Sequence, residues 1–114
     1  MAESEFATFV ADIFAPLGPV QFGRFFSGHG FKLDGVQFAM IIRDTLYLRV
    51  DDALAAELAK LGSKPFKYST SKRAVTVASY YSVPEDRLDE ADIVLDWARR
   101  SVIAAKAKPK NIKK

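Results

Sequence analysis

The sequence predicts an α+β domain of two layers, a mainly antiparallel sheet of five to six strands with helices on one face. Three observations carry this. Apolar residues recur with a helical period at both ends of the chain and with a period of two through its middle. The strand-like segments are joined by turns too short for a parallel crossover. The resulting order, α-β-β-β-β-α-β-β-α, groups strands in hairpins, whereas a doubly wound fold would alternate each strand with a helix.

Phe6, Phe9, Val10, Ile13, Phe14 and Leu17 form one stripe of a first helix, with Ser4 as its expected cap. Pro16, Gly18 and Pro19 end it, because proline lacks the amide donor and glycine accepts a left-handed backbone. Two strands follow, from Gln21 to Phe26 and His29 to Leu33, joined through Ser27-Gly28; Gly23 marks an expected bulge. Val36, Phe38, Met40 and Ile42 then alternate with Gln37, Ala39, Ile41 and Arg43. Leu46, Leu48 and Val50 alternate in the same way with Thr45, Tyr47 and Arg49. The turn signals between them are Leu33-Asp34-Gly35 and Arg43-Asp44-Thr45.

Asp51-Asp52 opens a second helix that runs to about Leu61 and stops at Gly62. Carboxylates at that position cap backbone donors and complement the helix dipole, which argues against a paired-acid catalytic site. Strands from Phe66 to Ser69 and Ala74 to Tyr81 flank the polar turn Thr70-Ser71-Lys72-Arg73. Ser82-x-x-Glu85 resembles a capping box for a last helix beginning near Pro84 or Asp89, whose stripe is Val94, Trp97, Ala98, Val102 and Ala105.

One domain suits 114 residues, and 49% hydrophobic with 27% charged residues is a globular balance. Without cysteine there is no disulfide, thiolate nucleophile or cysteine-held metal, and a reducing cytoplasm fits. The acidic start Met-Ala-Glu-Ser-Glu is unlike a signal peptide, and no apolar run approaches the ~18 residues of a membrane span. Charge is uneven. Taking the five lysines beyond Ala105 from the 17 basic residues leaves twelve against 14 acidic ones, a net of −2 for residues 1–105. Lys106, Lys108, Lys110, Lys113 and Lys114 thus form an expected lysine-rich tail over 106–114, able to hold a polyanion weakly and without sequence preference.

Taken in order, several segments resemble the TfoX N-terminal domain family. They are Arg24-Phe25-Phe26-Ser27-Gly28-His29-Gly30-Phe31, Asp34-Gly35-Val36-Gln37-Phe38-Ala39, the run from Asp44 to Asp52, Pro65-Phe66-Lys67-Tyr68, the run from Ser79 to Glu85, and Trp97-Ala98-Arg99-Arg100. The likeness covers nearly the whole chain. It implies a domain over residues 1–105 arranged like secretion-chaperone-like folds. It also implies kinship with the Sxy/TfoX regulators of bacterial competence, which assist transcription of DNA-uptake genes together with a cyclic-AMP receptor protein. Those regulators carry a second domain after this one, so the chain is expected to be a stand-alone N-terminal domain. Family members commonly have glycine where Ser27 stands and glutamate where Ser82 stands. The resemblance implies no catalytic residues.

The residues themselves offer little chemistry. His29, between Gly28 and Gly30, is the single imidazole, so a zinc site would need carboxylates for its other ligands. A Ser27-His29-Asp34 triad lacks a nucleophile elbow and an oxyanion context. Gly28-x-Gly30 opens no helix and is no dinucleotide fingerprint, and there is no P-loop. No cofactor and no metal are expected. Phe22, Phe25, Phe31, Tyr47, Tyr80 and Tyr81 could line an open sheet face. The order of elements differs from that of an RNA-recognition module and the body lacks positive charge, so a protein contact is the favoured use. The expected partner surface comprises Arg24, His29, Tyr47, Tyr80 and Tyr81. The expected function is a non-enzymatic regulatory or protein-interaction module. Its alternatives are a small-ligand sensor and a nucleic-acid adaptor acting through the tail. Expected partners are a protein such as the transcription machinery, a second copy through the uncovered sheet face, and nucleic acid at the tail; no membrane is expected.

Overall fold

The computed structural model describes residues 2–25 and 28–107. Its elements are α1 (Ala2–Phe14), β1 (Gln21–Phe25), β2 (Gly28–Leu33), β3 (Val36–Ile42), β4 (Thr45–Arg49), α2 (Asp52–Lys60), β5 (Pro65–Ser69), β6 (Ala74–Ser82) and α3 (Ala91–Ala107), with short 3-10 turns after α1 and before α3. All strand pairs are antiparallel, in the sheet order β1-β2-β3-β4-β6-β5. The α+β class and the order of elements are those the sequence predicts.

The three helices share one face. Val10 and Phe14 of α1, Leu54 and Leu58 of α2, and Val94, Trp97, Ala98, Val102 and Ala105 of α3 form one buried cluster with Phe31, Ala39, Ile41, Leu46, Leu48 and Val50. Phe14 sits at its centre, its ring 5.1 Å from those of both Phe31 and Phe38. Buried Ser101 on α3 donates its hydroxyl to the Trp97 carbonyl at 3.0 Å, which satisfies it within its own helix.

Both short hairpin turns have positive φ at their two central residues, the primed geometry that matches strand twist. Asp34 and Gly35 have φ of 54° and 83° in the first, and Arg43 and Asp44 have 52° and 64° in the second. The second does without glycine, which is uncommon for a residue such as arginine. Gly28 is required for a different reason: a Cβ there would run into the Ile41 carbonyl oxygen of the neighbouring strand.

Helix α2 begins and ends as its sequence indicates. Asp51 caps it by accepting the Leu54 amide at 2.9 Å. Gly62, at φ 96°, reverses the chain while its own amide and that of Ser63 donate to the Ala59 and Leu58 carbonyls.

Several local expectations differ from the structure. Helix α1 starts at Ala2, ahead of the expected cap Ser4. Phe9 is 43% exposed and stacks on Phe6, because Ala7, Val10 and Phe14 occupy the face turned to the sheet. β1 pairs with β2 without interruption through Gly23; the irregularity lies on β3, where Phe31 pairs with Ala39 but Lys32 with Gln37. Phe38 is the extra residue, and this bulge turns it to the helices while Met40 and Ile42 point to the other face. Ser82 ends β6 and accepts the Lys64 amide at 3.2 Å, so it caps no helix. Helix α3 runs to Ala107, so its last turn includes Lys106.

Candidate functional site

The face of the sheet opposite the helices carries a second, smaller apolar cluster. Met40, Ile42, Phe66 and Tyr80 are buried in it, with Tyr47 and Val77 packed alongside. Its cover comes from the β5–β6 hairpin. The register of that hairpin jumps from Pro65↔Tyr81 to Phe66↔Val77, which leaves Ala78, Ser79 and Tyr80 without partners on β5. Such an irregularity bends a strand and re-aims its side chains. Beyond it the hairpin curls back over the uncovered face, so Ser69 and Ala74 from near its tip line the same cleft as Ile42, Arg43 and Thr45.

This cleft has a volume of about 510 Å³. Phe66 forms its floor, edge-on to Tyr47 at 5.0 Å and stacked with Tyr68 at 5.9 Å. Tyr68 is 39% exposed. Arg43 and Lys67 are the cations in its lining. Burial raises the Tyr47 phenol above its ordinary pKa, an effect the positive charge of Arg43 partly offsets. Next to the cleft, Tyr80 exchanges long hydrogen bonds with Gln37, accepting from its side-chain amide at 3.3 Å and donating to its carbonyl at 3.4 Å. Arg49 lies over the Tyr80 ring at 5.8 Å with a buried Nε that has no hydrogen-bond partner.

The residues expected to share one partner surface fall in three places. Tyr47 and Tyr80 meet in the cluster under the hairpin. Tyr81 packs against the helix-side core. Arg24 and His29 face each other across β1 and β2, where the His29 ring stacks on Phe22 at 4.7 Å and its buried Nδ1 has no partner. Phe22 and Phe31 also stand on the helix side of the sheet, with rings 5.1 Å apart, and the side chain of Phe25 is outside the described residues. The Asp34 carboxylate accepts from the Lys106 ammonium at 2.8 Å, while Ser27 lies outside the described residues. Lys106 therefore belongs to the last turn of α3, and Lys108, Lys110, Lys113 and Lys114 are outside the described residues. Among the described residues no three His, Cys, Asp or Glu side chains group closely enough to hold a metal ion. No helix among them is long and apolar enough to cross a membrane.

Arg43, Phe66, Lys67 and Tyr68 escape sequence reasoning. Their assembly depends on the register jump, which leaves no periodic mark, and the aromatic pair Phe66 and Tyr68 is the signal that was available.

A three-helix layer on a six-stranded antiparallel sheet, with its far face partly roofed by its own hairpin, defines a small two-layer α+β domain. The chain belongs to the TfoX N-terminal domain family, which residues 12–105 match. It is similar to the DNA transformation protein TfoX of Haemophilus influenzae, 33% identical over 73 residues that make up 63% of this chain and 34% of that protein. The chain thus spans about a third of the length of this curated relative.

Proposed function

We propose that this domain is a non-enzymatic regulatory module, related to the control of DNA transformation, that works by binding a protein partner through the cleft beside the β5–β6 hairpin. The observation that carries this reading is the cleft itself, an aromatic-floored hollow with cations in its lining on the sheet face that no helix covers. Aromatic side chains ringed by polar ones are what protein contacts favour.

Complementation in the chain's own cells tests the proposal. The gene is removed, and wild type, Tyr68→Ala or Lys67→Glu is returned at equal abundance while transformation frequency and DNA-uptake transcripts are measured. Both substituted side chains are exposed, so folding should be retained. Wild type should restore the phenotype and the variants should not. Full restoration by both variants would overturn the role of the cleft, and an unchanged phenotype on removal would overturn the regulatory reading.

A further inference from the structure

We propose that the free edge of β5 takes an extended acidic segment of a protein partner as a seventh strand, with that segment's apolar side chains entering the cleft; this deepens the protein-binding reading above and rests on it.

Charge is segregated by layer. None of the 14 acidic residues falls on a strand; they lie on the helices, their approaches and the two hairpin turns. From Glu57 to Glu85 there is no acid between the two, yet Lys60, Lys64, Lys67, Lys72 and Arg73 all occur there. The net charge of residues 1–105 conceals this, because the negative charge sits on the opposite layer. An acidic segment arriving at β5 meets Lys67 on the strand, Arg43 across the cleft, and Lys72 and Arg73 at the hairpin turn. Asp44, beside Arg43, lines a different hollow.

Backbone geometry supplies the second observation. Among the described residues β5 ends the sheet and pairs with β6 alone. The Thr70 amide donates to the Arg73 carbonyl at 2.8 Å. Counting back in the alternation of antiparallel pairing, Lys67 and Ser69 turn their N–H and C=O groups away from β6. An added strand hydrogen-bonds such groups, while pockets beside the edge select its side chains. The hairpin is braced for this use, since the Thr70 hydroxyl accepts the amides of Lys72 and Arg73, each at 3.2 Å.

Two other occupants fit less well. A second copy pairing through this edge would bring together two basic edges, each carrying Lys67, and edge lysines discourage such pairing. Single-stranded nucleic acid needs open aromatic faces for stacking, but Phe66 is 4% exposed and of the cleft's aromatic residues Tyr68 alone is exposed.

The full isotope-labelled chain is titrated with a short peptide alternating glutamate and leucine, its lysine-for-glutamate counterpart, and oligothymidylate. Two further acidic peptides are N-methylated at either the glutamates or the leucines. The acidic peptide should shift the amides of Lys67 and Ser69, and methylation in one of the two registers should abolish this. Lys67→Glu should weaken binding about tenfold or more. Equal binding by the lysine peptide, indifference to methylation in both registers, tighter binding of oligothymidylate at the hairpin, or no shift with any probe would each overturn the inference. Should that happen while Tyr68→Ala still fails in cells, the protein-binding reading stands and only the chemistry of the partner is wrong.

Discussion

The Phe66 ring meets the Tyr47 ring edge-on, with centroids 5.0 Å apart and planes at 72°, although strand β6 lies between their two strands. In a flat sheet, strands two places apart are separated by roughly 10 Å. The contact exists because the β5–β6 hairpin bends over the face that the helices leave open. This fold-back changes the meaning of the apolar residues on that face. Met40 and Ile42, apolar residues of that face, are buried beneath the chain's own hairpin.

Phe66→Ala should therefore act as a core truncation even though it sits on an edge strand, costing about 3 kcal/mol or more by denaturant unfolding. Amide exchange should quicken in β5 and the first half of β6 before it quickens in α3, because the second cluster contains no helical residue. A cost under about 1 kcal/mol would mean that the hairpin does not close over the sheet in solution.

Burial holds the Tyr47 phenol above its ordinary value, so the folded chain keeps that proton at a pH where the unfolded chain has lost it. The resulting stability is fully present below the unfolded pKa near 10 and is lost as pH rises through the folded value. Tyr47→Phe keeps the ring and removes the titration. Its stability should fall less steeply than that of wild type above about pH 10, and one of the four tyrosines of the wild type should titrate late in tyrosinate absorbance and be missing from the variant. Equal slopes would place the phenol in water.

Trp97 is 6% exposed on α3 and belongs to the main cluster with Val94, Ala98 and Val102. Trp97→Ala should cost about 3 to 5 kcal/mol in the same unfolding measurement. A loss below about 1 kcal/mol would remove it from the core.

What the sequence made legible was local. The α3 stripe, the two primed turns and the Asp51 cap each depend on residues within a few positions of one another, and each stands in the structure where its pattern put it. Features set by distant partners were not legible. The Phe38 bulge depends on its pairing with β2, and the register jump between Pro65 and Phe66 depends on packing over Ile42 and Tyr47. Alternation alone puts Phe38 on the same face as Met40. For the candidate site, alternation and aromatic type singled out Tyr47 and Tyr80, but nothing local joined them to Phe66 and Tyr68. The acid-free stretch between Glu57 and Glu85 is a local feature of the sequence that a net charge summed over both layers masks.

The ion pair between Lys106 and Asp34, at 2.8 Å, reduces the expected polyanion-binding tail to Lys108, Lys110, Lys113 and Lys114. If duplex DNA is held by these four lysines alone, the logarithmic salt slope should not exceed about 3.6 in magnitude. Binding should also be indifferent to sequence, because phosphate contacts position a protein without specifying bases. Truncation after Ala107 removes all four while leaving α3 and its link to the β2–β3 turn intact. Titrating the full and truncated chains with one labelled duplex at several salt concentrations then separates the tail from the basic layer of the sheet. Loss of binding on truncation assigns it to the tail. Binding that survives truncation but disappears in Lys67→Glu assigns it to the hairpin, and that outcome would also count against an acidic peptide as the hairpin's partner.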